Sequence, residues 1–139
     1  MKKTVAAFGV AWLGLVSGAA IAQTCEELEV NVRAEATELS PKIIDLRTLE
    51  STIHMTELKL MSDVEMANTY GLDPELETAI RSQEQEAFRL RHDHARIAGE
   101  ANAINERLKE RIRHYEAVCG KAARTDEILF NLGVPRPIL

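Results

Sequence analysis

The sequence predicts an all-α fold: a long antiparallel helical hairpin, coiled-coil-like, clipped by a disulfide at its open end and followed by a short C-terminal helix or tail. Three observations predict it. Residues 25–70 and 74–119 are rich in Glu, Arg, Ala, Leu and Ile and show no β-type alternation. Between them, Gly71-Leu72-Asp73-Pro74 joins a glycine stop to an Asp-Pro start. Heptad spacings in the two stretches, read antiparallel, agree on one register that also pairs the cysteines.

The N-terminus comes first. Lys2 and Lys3, a charge-free apolar run from Val5 to Val16 and a small-residue stretch closing on Ala20-Ile21-Ala22 make the three-part pattern of a secretory signal peptide over residues 1–22. The expected mature chain starts at Gln23 and is periplasmic or secreted. Loss of Lys2 and Lys3 takes the net charge from −5 to −7 over the remaining 117 residues. A membrane span needs about 20 apolar residues. No segment after Gln23 supplies them, so no span is expected after cleavage.

Cys25 opens the first arm. Cys25, Val32, Leu39, Leu46, Ile53, Leu60 and Ala67 recur every seven residues without a charged member, which is a coiled-coil seam. Ser40-Pro41 can start a new helix, but Val32 and Leu39 stay in phase with Leu46, which predicts one kinked continuous helix. Gly71 is expected in the left-handed conformation with Leu72 packing back, and Asp73 and Pro74 as N-cap and first-turn residue. The second seam runs Leu76, Gln83, Leu90, Ile97, Ile104, Arg111 and Val118, interleaved with Ile80, Ala87, His94, Ala101, Leu108 and Tyr115.

Facing residues of an antiparallel hairpin have a constant total of residue numbers. Leu39 with Ile104, Leu46 with Ile97 and Ile53 with Leu90 total 143, and Cys25 with Cys119 totals 144. Two cysteines in an exported chain point to an internal bridge. It would close a loop of about 95 residues and stabilise by about 4–5 kcal/mol. The hairpin domain is therefore set at 23–120 and an apolar tail at 121–139, where Thr125-Asp126-Glu127 can open a short helix that Gly133 and Pro135 end.

Beside the first seam lies a second stripe, Ile44, His54, Leu58 and Met61, with Met55 close to it. Phe88, Ala95 and Ala98 flank the second seam on the side that the register brings next to it. This is either a wider core or an interface, self-association into a four-helix bundle included. Met55, Leu58, Met61 and Phe88 on the rod, with Ile128, Leu129, Phe130 and Leu132 in the tail, are the candidate partner-binding residues. The tail leaves from the open end, while Phe88 lies about 46 Å down the shaft at helical rise. Docking in trans or near the open end is expected. Glu50 and His94 meet in the register as a polar core pair that fixes it, or alternatively as an acid-sensitive latch.

Several chemistries are excluded. The first arm has 4 Lys or Arg against 10 acids and the second 8 against 9, so a nucleic-acid partner lacks its basic footprint. Arg107, Lys109, Arg111 and Arg113 read as a solvated basic surface near a helix C-terminus. His92 and His94 point about 200° apart on a helix, so neither a shared metal ion nor any cofactor is expected. Neither cysteine can be both bridge and nucleophile, and nothing resembles a phosphate-binding loop.

Gly71-Leu72-Asp73-Pro74 and the helix that follows resemble the turn and last helix of the secreted, all-helical chorismate mutases, with Glu86 near that family's acidic residue. The resemblance implies a small secreted all-α enzyme. It also implies several Lys and Arg residues before the turn to hold a dicarboxylate, where residues 50–66 contain only Lys59. The rod itself predicts a non-enzymatic interaction module, an adaptor, chaperone or inhibitor in the cell envelope, because helical rods present long surfaces and no enclosed pocket. Its expected partner is an envelope or secreted protein, or a second copy.

Overall fold

The computed structural model describes residues 23–139, and the expected signal peptide over 1–22 lies outside the described residues. In chain order the helices are α1 (Cys25–Tyr70), α2 (Pro74–Cys119) and α3 (Ala122–Asn131). The first two form the antiparallel hairpin and the third folds back on its open end.

Local chemistry sets each boundary. At the start of α1, Thr24 Oγ1 accepts from the Glu27 N–H at 3.2 Å and Glu27 Oε2 accepts from the Thr24 N–H at 2.9 Å, a reciprocal capping box. Pro41 lies inside α1 without ending it. Asp73 Oδ1 accepts from the Leu76 N–H at 2.7 Å and Pro74 is the first residue of α2. The turn differs from expectation in one respect. Gly71 has φ +95° but ψ 157°, an extended value outside the left-handed region, and Leu72 is left exposed. The chain leaves α1 straight toward the Asp73 cap, so Leu72 has no helix surface to pack on.

The register is the predicted one. Cys25 and Cys119 form a disulfide with their Cα atoms 5.9 Å apart. Further along, Tyr115 hydroxyl donates to Glu29 Oε2 at 3.4 Å and His94 Nε2 lies 3.3 Å from Glu50 Oε1; both pairs keep the 144 total of the cysteines.

Burial is uneven along the rod. The main core lies in the disulfide half, where Leu28, Val32, Ala36 and Leu39 of α1 meet Ala101, Ile104, Leu108, Ile112 and Tyr115 of α2, with Leu129 and Val134 from the tail. Here the strict heptad fails. Arg111 and Val118, expected in the seam, are exposed, and Ile112 and Cys119 take their place. Buried residues step 104, 108, 112, 115 on α2 and 28, 32, 36, 39 on α1, an eleven-residue spacing that straightens the supercoil. The cause is the third element: the buried arc must face both the opposite helix and the tail.

α3 starts at Ala122, earlier than the Thr125 expected, because Gly120 adopts the left-handed conformation (φ +65°, ψ 25°) and redirects the chain at once. Thr125 is instead buried inside the helix. At its end, Val134 N–H donates to Leu129 O at 3.0 Å and Gly133 N–H to Phe130 O at 3.1 Å, with Gly133 at φ +66°. This Schellman closure places the apolar pair Leu129 and Val134 together in the core.

Candidate functional site

Seam residues divide the hairpin into two flanks. Residues that precede seam positions pair across the helices: Lys42 Nζ donates to Glu100 Oε2 at 2.5 Å, and Arg107 Nε to Glu35 Oε2 at 3.0 Å. This flank carries two of the cross-helix ion pairs; a third, Arg91 with Glu57, lies on the other side, since Arg91 follows the seam residue Leu90. Residues that follow seam positions lie on the opposite flank, since a heptad repeat keeps each row on one side of the rod.

The tail occupies the disulfide half of this second flank. Ser40 hydroxyl donates to Leu132 O at 2.6 Å, and Arg136 Nη2 donates to Glu116 Oε1 at 2.7 Å. Ser40 belongs to the seven-residue row of His54 and Met61, and Glu116 to the row of Phe88 and Ala95. The tail therefore covers near the disulfide the same flank that carries Leu58, Met61 and Phe88 further out.

Charge holds the tail down. Arg124 bridges α1 and α3, its Nη2 2.8 Å from Glu29 Oε1 and its Nη1 2.7 Å from Glu127 Oε2. The Arg124 hydrogen bond draws the Glu29 carboxyl below its ordinary pKa against the opposing effect of burial, and Arg33 adds to it. Burial pushes the Tyr115 phenol up, with the Glu29 charge assisting. Arg136, raised by Glu116 and Asp126, ties the last residues to both α2 and α3.

Beyond the tail the flank is open. Phe88 is 73% exposed, Met61 67% and Leu58 47%, and Ile44 is also exposed at the tail's edge. Ser51 and Ala95 are exposed and Ala98 half-buried, and exposed Arg47, His54 and Arg91 share the same rows, so small and charged residues alternate with the bulky ones along this flank. Toward the turn, Met66 and Tyr70 line an open groove with Asp63 and Ala79; these residues precede seam positions, so the groove lies on the flank of the Lys42 and Arg107 pairs.

The remaining sequence candidates separate. Met55 is exposed but lies two positions past the seam residue Ile53, on the outer surface of α1 and off this flank. Ile128 and Leu129, expected to reach a partner, are buried against the chain's own shaft, because docking near the open end consumes the apolar side of α3. Leu132 is half-buried, and Phe130 alone of the four stays open at 85%. Glu50 and His94 make their contact, but with the Glu50 side chain 65% exposed it is a surface pair. Leu90, one turn from His94, is buried, while the Glu50 carboxylate stays in solvent.

Arg107 and Lys109 are engaged by Glu35, Glu38 and Glu106. Among the described residues no three His, Cys, Asp or Glu side chains converge on a point that could hold a metal ion. Glu86, singled out by the chorismate mutase resemblance, is bound by Arg89 one turn along its own helix at 2.6 Å, which lowers its pKa. Lys59 is exposed on the other arm. Sequence reasoning did not identify Ser40, Glu29, Glu116, Arg124 or Arg136 as the tail's anchors; the shared heptad rows of Ser40 and Glu116 with Met61 and Phe88 were the available signal.

Among the described residues no helix is long and apolar enough to cross a membrane. No protein-family model, curated protein or solved structure matches the chain.

Proposed function

We infer that the protein is exported and works as a helical protein-binding module in the cell envelope or outside the cell, with the open half of the tail flank as its docking surface. One observation carries this reading. The chain covers the disulfide half of the flank with its own helix and leaves Leu58, Met61 and Phe88 bare on the other half. Large apolar side chains grouped on one side of a helix pair gain most by burial against another helical surface, at about 25 cal/mol per Å². The disulfide supports an oxidising destination for the chain.

The test uses the protein produced from the full chain, leader included, and recovered oxidised from the exported fraction. Mass spectrometry is expected to find Gln23 as its first residue. Used as bait in envelope and culture-medium extracts, it should retain a protein that Phe88→Glu releases and Met55→Glu keeps. A chain that stays in the cytosol with its leader, or identical retention by all three baits, overturns the reading.

A further inference from the structure

We propose that Gln23 is a modification site: once the leader is removed, its side-chain amide closes on its own α-amine and the chain begins with a pyroglutamyl lactam. This rests on the export reading above, since the amine exists only after cleavage behind Ala22. Two observations fix where that amine lies. Ala20 and Ala22 stand in the small-residue positions of the leader, which puts the cut directly before Gln23. Downstream, α1 begins at Cys25 with Thr24 as its extended N-cap, so the cut leaves one residue beyond the capped helix.

The cap leaves Gln23 free to react. The Thr24 N–H donates to Glu27 Oε2 at 2.9 Å and the Glu27 N–H to Thr24 Oγ1 at 3.2 Å, so the capping box is complete without residue 23. Gln23 is exposed and outside the helix, and among the described residues its side-chain amide makes no hydrogen bond. Its nitrogen and its Cδ are separated by two side-chain torsions alone, χ1 and χ2. They meet by rotation of that side chain, while Thr24, Cys25 and the disulfide stay where they are.

The step balances within one residue. The uncharged α-amine attacks Cδ, a new C–N bond closes a five-membered ring, the Cδ–Nε2 bond breaks, and Nε2 leaves as ammonia with a proton from the amine. An α-amine has an ordinary pKa of about 7.7–8.0, so its reactive uncharged form is present near neutral pH. Holding both reactants on one residue makes the reaction unimolecular. Asparagine at this position would have to close a four-membered ring, so the step needs glutamine. The lactam removes the positive charge that a free amine places beside the positive end of the α1 macrodipole. It also denies an aminopeptidase its free amine, at a terminus where proteolysis concentrates. Trimming past Gln23 would next remove Thr24, whose hydroxyl and N–H make the capping box, and then reach Cys25 of the disulfide.

The test uses the protein produced from the full chain, leader included, and recovered oxidised from the exported fraction. One portion is acidified at once and another is held in warm neutral buffer. After reduction and tryptic digestion, mass spectrometry of the peptide from Gln23 to Arg33 is expected to show the loss of one ammonia, in the warmed portion at the latest. N-terminal sequencing of that portion is expected to be blocked. Gln23→Asn should keep its full mass and its free amine, and it alone should lose residues 23 and 24 to an added aminopeptidase. A peptide that starts at Gln23 and retains its ammonia throughout warming overturns the proposal and leaves the export reading standing. A first residue other than Gln23 also overturns the proposal; a chain that stays in the cytosol with its leader overturns the export reading with it.

Discussion

The hydroxyl of Ser40 donates to the carbonyl oxygen of Leu132 at 2.6 Å, joining positions 92 apart in the chain. Ser40 precedes Pro41 and reads in sequence as a possible helix start, yet α1 passes through both. Its side chain is used between elements: it satisfies a carbonyl at the end of α3 that no helical N–H can reach. Ser40→Ala is expected to leave α1 helical and to destabilise the protein by about 1–3 kcal/mol, the range for leaving a part-buried acceptor unpaired. Urea unfolding measures this, and amide exchange at Leu132 to Val134 should quicken ahead of that in α1 and α2.

The disulfide clips two helix ends that the tail core also holds. Reduction is expected to lower stability by about 4–5 kcal/mol through the unfolded chain's regained freedom, without undoing the packing of Leu28, Val32, Ile112 and Tyr115. Denaturation with and without reductant should show one cooperative transition shifted to lower denaturant. Loss of helix signal on reduction in buffer alone would mean that the core near Tyr115 contributes far less than its burial implies.

The two long helices, the Asp73-Pro74 start and the register were legible because each rests on local chemistry or on periodicity within one helix. Asp73-Pro74 acts over a few residues, and the 144 total of the cysteines follows from two seams that meet directly; the start of α3 and the conformation of Gly71 depend on where the chain goes next and were not legible. The exchange of Arg111 and Val118 for Ile112 and Cys119 was not legible. Extending a heptad assumes a two-helix contact, and only the docked tail shows that α2 has a third neighbour there. The same fact moved Ile128 and Leu129 from the candidate site into the core: an apolar tail announces that it will dock, and periodicity alone does not say on what. Met55 joined the candidate surface by closeness in number, while its phase relative to Ile53 puts it elsewhere.

That change of phase makes its own prediction. Ile112→Ala removes a fully buried side chain from the core and is expected to cost about 2–5 kcal/mol. Val118→Ala, at a position the heptad places in the seam but the fold leaves exposed, is expected to stay within about 0.5 kcal/mol. Chemical denaturation of both variants decides between a continued heptad and the eleven-residue spacing, since a continued heptad reverses the order of the two costs.

Acid should loosen the tail first. Glu29 has its folded pKa depressed below the ordinary 4.5, chiefly by the hydrogen bond from Arg124, with Arg33 also acting and burial opposing. A depressed carboxylate pKa contributes stability that is present in full above the unfolded value and is lost as pH falls through the folded one. The Tyr115 phenol facing Glu29 is raised and neutral throughout this range, so it does not counter the effect. Stability is therefore expected to hold from neutral pH down to about pH 4.5 and to fall below it. Glu29→Gln should start lower at pH 7, because Arg124 loses a charged partner, and should descend less steeply in acid. Thermal melts of the two proteins between neutral and strongly acid pH measure the difference in slope. Parallel curves would show that the Arg124 contact holds no proton-linked stability and that the tail is retained by its other contacts, the buried Ile128, Leu129 and Val134 and the Ser40 and Arg136 anchors.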